Sequence, residues 1–406
     1  MGGLSALHIG AVGLGAMIFN FVYWNFGFLR MGTTGMTAQA YGKRDNAKII
    51  HTWCRALLLA LILSFLILLF QYPLGSLGFT LMNVSDDQYS LVSEYFFIRI
   101  WAAPATLILI VMMGWFFGMQ NAIYPLLLTL IINITNIFVS YILVTQYDMG
   151  VAGVAYGTVI AQYFGVITAF VLFTYKYKNL LLSYNSKLML ATKEFLKFLS
   201  INTDIFLRTL CLTLAFGFFY SKSASAGSIT LAVNTILMQF LNWMSFGVDG
   251  FAYAAESLVG KYKGAGNTKA TKRSIKLSMV WGMGLALFFS IFYAIFGETL
   301  VYVFTNKPIV IKATIPYLWW MIWLPIIGTP CYIWDGIFVG LTAVKAMRNS
   351  MSIALLVYLL CFYSLSYLYP DTKMLSEILW FSLLSFLAAR GILMWLYYYS
   401  KGLKIV

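Results

Sequence analysis

Charge is scarce in this chain. Charged residues are 10% of its 406 residues and hydrophobic residues 61%, whereas a soluble domain has about 25% charged and about 45–50% apolar. So little polar surface cannot cover a protein of this size in water, which excludes a soluble helical bundle. Acids are scarcer still, 13 against 27 Lys and Arg, for a formal net charge of +14. The four cysteines (Cys54, Cys211, Cys331, Cys361) all lie in apolar runs without CxxC or other metal spacing, so they read as buried thiols. The two histidines, His8 and His51, are too few and too far apart to suggest a metal site. There is no P-loop, HExxH or GxSxG, so neither an ATP-driven pump nor a familiar intramembrane hydrolase is suggested, and the chain does not read as an enzyme. No cofactor is expected.

What the sequence has in abundance is long apolar runs. A membrane helix needs about 20 mostly apolar residues. Eleven segments qualify: 9–41, 50–72, 91–119, 123–145, 150–175, 196–221, 229–260, 274–297, 310–342, 350–369 and 374–400. Several exceed 30 residues, so they must tilt or project past the bilayer. No run alternates with the period of a β-barrel strand. GAVGLG at 10–15 sits inside an apolar span with no strand before it, and reads as close helix packing, not a nucleotide loop.

The basic residues are unevenly placed. With the loop after the first span taken as cytoplasmic, alternation puts 18 Lys and Arg inside and only Lys222, Lys307, Lys312 and Lys373 outside. That asymmetry sets orientation under the positive-inside rule and places the C-terminus in the cytoplasm. It also accounts for the net charge without nucleic acid. The acids Asp86, Asp87, Glu94, Asp148, Glu298, Asp371 and Glu377 fall on the other side.

The chain also repeats itself weakly. FGFLRMGTTGMTAQAYGKRD at 26–45 parallels FGVDGFAYAAESLVGKYKGAG at 246–266, which pairs Gly42 with Gly260 at an offset of 218. Pro104 pairs with Pro325 at 221, and FFG at 116–118 with FVG at 338–340 at 222. Landmarks that leave the membrane on the same side make a parallel repeat of units with an even number of spans. The expected architecture is an all-α membrane protein of two pseudo-symmetric bundles with five and six transmembrane helices. The N-terminal lobe is 1–175, a basic cytoplasmic linker along the interface is 176–195, and the C-terminal lobe is 196–406. The partner of the 196–221 span would precede residue 1, so the first helix of the first lobe is expected to be missing.

Ionisable groups at bilayer depth cost about 2.5–3.5 kcal/mol each on insertion scales, so they face a bundle interior or a wet cavity. The acids of this kind are Asp204, Asp249, Glu256 and Asp335, and the bases Arg30, Arg55, Arg99, Arg208 and Arg390. Asp204 and Arg208, four apart on one helical face, form either a self-neutralising structural pair or a proton- or cation-responsive switch. Asp335 lies between Pro330 and Gly336, where irregular backbone suits a cavity wall. Asp249 falls within one residue of Arg30 in the repeat, so it pairs either with that arginine or within its own lobe. Glu256, near the cytoplasmic exit, reads as a snorkelling or gate residue. The ion-coupling candidates are Asp204, Arg208, Asp335, Asp249 and Glu256. The substrate-contact candidates are Asn133, Asn136, Gln162, Asn202, Asn234, Gln239 and Asp335, in a cleft expected to hold few fixed cations.

AVGLGAMIFNFVYWNFGFLRMGTTGMTAQAYGKRD resembles the second helix of the multidrug and toxic compound extrusion (MATE) family, in its DNA-damage-inducible (DinF-like) branch. NTDIFLRTLCL, SAGSITLAVNTILMQF, DGFAYAAESLVGKYKGAG and WDGIFVGLTAVKAMRNSM are similar to that branch's second-lobe motifs, and the resemblance covers essentially the whole chain. It implies two six-helix lobes, alternating access, and export of amphipathic, cationic organic compounds against H+ or Na+. It places Asp204 on the family's seventh helix, Asp249 and Glu256 on the eighth and Asp335 on the tenth. It implies a monomer in the bacterial inner membrane, surrounded by lipid, with a small amphipathic molecule as its partner. The family's first helix, which carries a coupling aspartate in prokaryotic members, has no match here. The alternatives are a lipid-linked saccharide flippase of the same superfamily and an inactive truncated transporter.

Overall fold

In the computed structural model the chain is described over residues 5–189, 191–370 and 374–401, and these residues form helices and turns with no strand among them. Asp371, Lys373 and Lys404, which enter the charge count, lie outside the described residues. Eleven stretches are long and apolar enough to cross a membrane, from Leu7–Gly42 to Leu375–Ser400. They match the eleven expected spans one for one. The chain divides into two compact units, Met1–Asn202 and Thr203–Val406.

The first unit contains α1 (Ala6–Trp24), α2 (Gly27–Gly42), α3 (Asn46–Leu69), α4 (Gln71–Leu81), α5 (Asp86–Arg99), α6 (Ala103–Gly118), α7 (Ile123–Thr145), α8 (Gly150–Tyr177) and α9 (Ser186–Met189). The first span is broken between α1 and α2. There the Asn25 amide donates to the Phe21 carbonyl at 2.9 Å and closes the last turn of α1. A 3-10 turn, Ile100–Ala102, joins α5 to α6 just before Pro104, which has no N–H to continue a regular ladder. The core is aromatic: Trp53 stacks on Phe173 at 4.4 Å, and Trp115 meets Tyr177 edge-on at 5.0 Å. On α7, Ile134, Ile137, Phe138 and Tyr141 are all exposed, as a lipid-facing surface allows.

The linker is fastened to this unit. Arg55, on α3, donates through Nε to the Met189 carbonyl at 2.8 Å and through Nη2 to the Leu188 carbonyl at 2.7 Å. The Asn185 N–H donates to His51 Nε2 at 3.0 Å. Arg55, read from sequence as an intramembrane base, thus has its partners in the connecting segment.

α10 (Thr192–Ser225) carries the division between the units. The second unit continues with α11 (Ser228–Gly264), α12 (Thr268–Phe304), α13 (Pro308–Thr314), α14 (Leu318–Gly340), α15 (Val344–Leu368) and α16 (Leu375–Lys401). Asn234 ties three of these helices together. Its Nδ2 donates to Ser223 Oγ at 2.8 Å, and its Oδ1 accepts from Trp380 Nε1 at 3.0 Å.

Each unit by itself has the same set of turns, and from α2 and α11 to the ends of α6 and α14 the matching positions are 222 apart. α2 ends at Gly42 and α11 at Gly264. Arg44 and Gly266 follow with positive φ, 57° and 69°. Asp45 and Asn267 then cap the next helices, each accepting a backbone N–H three residues on at 2.9 Å. Gln120 and Thr342, at φ 61° and 51°, close α6 and α14 in the same way. The helix crossings match too. A Cβ at Gly114 would lie 2.5 Å from the Arg30 carbonyl oxygen and 2.9 Å from the Arg30 Cα. One at Gly336 would collide with the Ala252 carbonyl oxygen and lie 3.0 Å from the Ala252 Cα. Only glycine permits backbones that close. The constant offset corrects three expected pairings: Gly42 matches Gly264 and not Gly260, Asp249 matches Gly27 and not Arg30, and Pro104 matches Ile326 and not Pro325.

Candidate functional site

The second unit collects charge around one carboxylate. Asp335 projects from α14 and is 5% exposed, with Arg208 of α10 at 8% and Arg390 of α16 at 1%. One oxygen of Asp335, Oδ2, accepts from the Nη2 of both arginines, that of Arg390 at 2.8 Å. Its other oxygen, Oδ1, has no hydrogen-bond partner, nor do Arg208 Nε and Arg390 Nε and Nη1. Gly391 lets α16 approach α14 here, since a Cβ on it would sit 3.4 Å from Pro330 Cβ and 3.5 Å from the Cys331 nitrogen. The Arg390 guanidinium also lies 5.6 Å from the Tyr332 ring centroid and 5.4 Å from that of Phe386, within cation–π range.

Asp335, Arg208 and Arg390 alone carry a net charge of +1. Asp249, half-buried on α11, acts electrostatically on Arg208, Cys331 and Tyr332. Counting it makes the cluster two acids and two bases. Burying an ion pair is expensive, and removing one member of a buried pair costs about 3–5 kcal/mol because the other is left uncompensated. Here one carboxylate bonds two guanidiniums from two other helices. A change in its charge therefore changes what holds α10 and α16 to α14.

The pairing read from sequence between Asp204 and Arg208 is not the one found. Asp204 binds Arg348 of α15 at 2.5 Å, while Arg208 binds Asp335. Four-residue spacing puts two side chains on one helical face, but facing helices offered each a better partner. Arg348 is tethered further by two bonds to Asn349 Oδ1, at 3.0 and 3.2 Å. Glu256 is 1% exposed, which removes the snorkelling reading.

The candidate substrate residues do not form one group. In the first unit, Asn133 is exposed on α7, Gln162 is half-buried on α8, and Asn136 donates to Thr158 Oγ1 at 3.1 Å, linking α7 to α8. Asn202 is buried, donating to the Phe198 carbonyl at 2.8 Å and leaving Oδ1 unpartnered. In the second unit, Gln239 accepts from Asn242 at 3.4 Å. Asn234 is 0% exposed and spent on Ser223 and Trp380, so it is a helix clamp and not a substrate contact. Of the substrate candidates, only Asp335 joins the charged cluster. The expectation of few fixed cations does not hold around it.

Two residues of these networks were outside the sequence-derived set. Arg390 was counted as an intramembrane base but given no role. The signal was present, because α16 has no acid within a turn of it, so its partner had to come from another helix. Arg348 was counted only as a cytoplasmic charge.

The MatE family model matches residues 1–142 and 205–368. DNA damage-inducible protein F of Escherichia coli (strain K12) is 35% identical over 397 residues, covering 96% of this chain and 83% of that protein. Protein DETOXIFICATION 43 of Arabidopsis thaliana is 28% identical over 241 residues, covering 57% and 44%. Among solved structures, a MATE in the bent conformation aligns with a TM-score of 0.88 at 19% identity, covering 99% of this chain and 89% of that one.

Proposed function

The chain belongs to the MatE family, and from that premise we propose that it exports amphipathic, cationic organic compounds by antiport against H+ or Na+, with alternating access. Family membership makes it a multi-pass membrane transporter and not an enzyme. The observation that carries the finer reading is the shared carboxylate, Asp335, between Arg208 and Arg390. Protonating it removes the one negative charge on which both guanidiniums bond. Their mutual repulsion then favours an arrangement with α10 and α16 further from Asp335. Deprotonation reverses the preference. Of the two ions, the geometry supports the proton. A hard metal cation takes a shell of oxygens, whereas the oxygens of Asp335 sit beside two guanidiniums. The charge asymmetry of the loops supports a cytoplasmic C-terminus, and the likeness to the Escherichia coli protein supports a bacterial inner membrane. A monomer suffices for this scheme.

The two buried guanidiniums favour one second reading. Fixed guanidiniums suit an anionic amphipath, as in a lipid-linked saccharide flippase of the same superfamily. Expression in a pump-deficient bacterium separates the two. Export of cations predicts raised resistance to at least one lipophilic cation. Unchanged resistance across a broad cation panel, with rescue of a flippase mutant, would establish the second reading instead.

A further inference from the structure

In the second unit, α12, α14 and α16 together line a cavity of about 930 Å³. It uses a different face of α14 from the charged cluster: Pro330 and Trp334 line it, and Asp335 does not. Along most of its depth the wall is apolar, with Met279, Met283 and Ile327 among its residues. At the end near the start of α12 the wall changes. Lys272 and Lys276, four apart on one helical face, both line it and are exposed, and no carboxylate is among the described lining residues. Two like charges one turn apart repel, and no described lining residue neutralises them. At the same end, Trp395 and Tyr399 lie 5.1 Å apart on the last turns of α16. Such amphipathic rings settle at the level of lipid headgroups.

From this juxtaposition we propose that the cavity binds a phospholipid with an anionic headgroup. Its phosphate lies on Lys272 and Lys276, and an acyl chain runs past Met279 and Met283. The helix rises about 16 Å from Lys272 to Met283, at about 1.5 Å per residue, a length that suits an acyl chain and that a small soluble anion has no means to fill. The exported cation of the proposed function is not the occupant, because the lysines repel it. Basic pockets between transmembrane helices are a recognised way of holding anionic headgroups.

The test is native mass spectrometry of the whole chain released from detergent, titrated with phosphatidylglycerol or phosphatidylcholine. The unaltered protein should retain phosphatidylglycerol in preference to phosphatidylcholine. Lys272→Gln with Lys276→Gln should weaken that retention roughly tenfold or more, as the loss of two lysines from an anionic site implies. Lys269→Gln with Arg273→Gln, on the same turns but outside the cavity, should leave it unchanged. Equal loss in both double variants would reduce the effect to general surface charge and overturn the site. So would equal retention of the two lipids, which makes the cavity an unselective apolar cleft, and so would retention of neither.

Discussion

In the first unit the buried Arg55 donates to two backbone carbonyls, those of Leu188 and Met189; in the second, Arg208 and Arg390 donate to the carboxylate of Asp335. A carbonyl does not titrate at any physiological pH, whereas a carboxylate gains and loses a proton. The two units share the turns at Arg44 and Gly266, the caps at Asp45 and Asn267, and the crossings at Gly114 and Gly336. Across that common frame the chemistry diverges. At the repeat offset, Asp335 corresponds to Met113 and Glu256 to Thr34. A duplicated scaffold can thus carry a static anchor in one copy and a charge-responsive cluster in the other.

The comparison breaks most visibly at Asp335. Asp335→Asn takes away the one carboxylate that both buried guanidiniums bond, and stability should fall by about 3–5 kcal/mol. Adding Arg390→Gln to Asp335→Asn should recover part of that loss, since it removes one orphaned charge. A double variant no more stable than the single one in thermal unfolding would show that the cluster is not electrostatically coupled.

The shared frame is tested by Gly114→Ala and Gly336→Ala. A methyl at either site meets backbone of the neighbouring helix, which cannot swing aside as a side chain can. Both should therefore lie toward the upper end of the usual overpacking range of about 1–3 kcal/mol. Similar losses of melting temperature sharpen the comparison, and a large loss at one site only would mean that the crossings differ in kind.

Arg55→Met removes two charge-assisted hydrogen bonds from the linker and should cost about 2 kcal/mol. Proton dependence of efflux should be unchanged, because the two carbonyls that Arg55 holds do not titrate. Protease cleavage within 178–189 should accelerate. A shifted pH profile would place the first unit in the coupling after all.

The smallest effect belongs to Asp204. Its partner Arg348 has a side chain 32% exposed, and pairs of this kind contribute about 1 kcal/mol or less. Asp204→Asn should lower stability by that order and leave ion-driven efflux largely intact. Abolished efflux in a folded Asp204→Asn protein would move the coupling site from Asp335 to Asp204.

The eleven spans were legible because apolar run length is a local property, summed residue by residue. The break at Asn25–Phe26 was not, since the run stays apolar across it. α4 is absent from the sequence reading for a related reason: it follows directly on α3, and the apolar span read there ends at 72. The repeat was visible but slipped by one turn at Gly260, because glycine and lysine recur there at one-turn spacing and the true match is Gly264. The pairing of the charges failed for a deeper reason. The i, i+4 spacing of Asp204 and Arg208 shows which side chains share a face, but their partners Arg348 and Asp335 come from helices more than a hundred residues further along. Asn234 illustrates the same limit: a polar residue in a span reads alike whether it clamps helices or meets a substrate.

The central claim is that the charge on Asp335 drives the cycle. Its most direct test is efflux of a lipophilic cationic dye by the purified protein in sealed vesicles under an imposed proton gradient, comparing the unaltered chain with a folded Asp335→Asn protein. The account predicts that the gradient accelerates dye movement in the unaltered chain. It predicts that in Asp335→Asn dye movement is slow and indifferent to the gradient, while dye binding survives. Gradient-driven efflux at an undiminished rate in Asp335→Asn would contradict it.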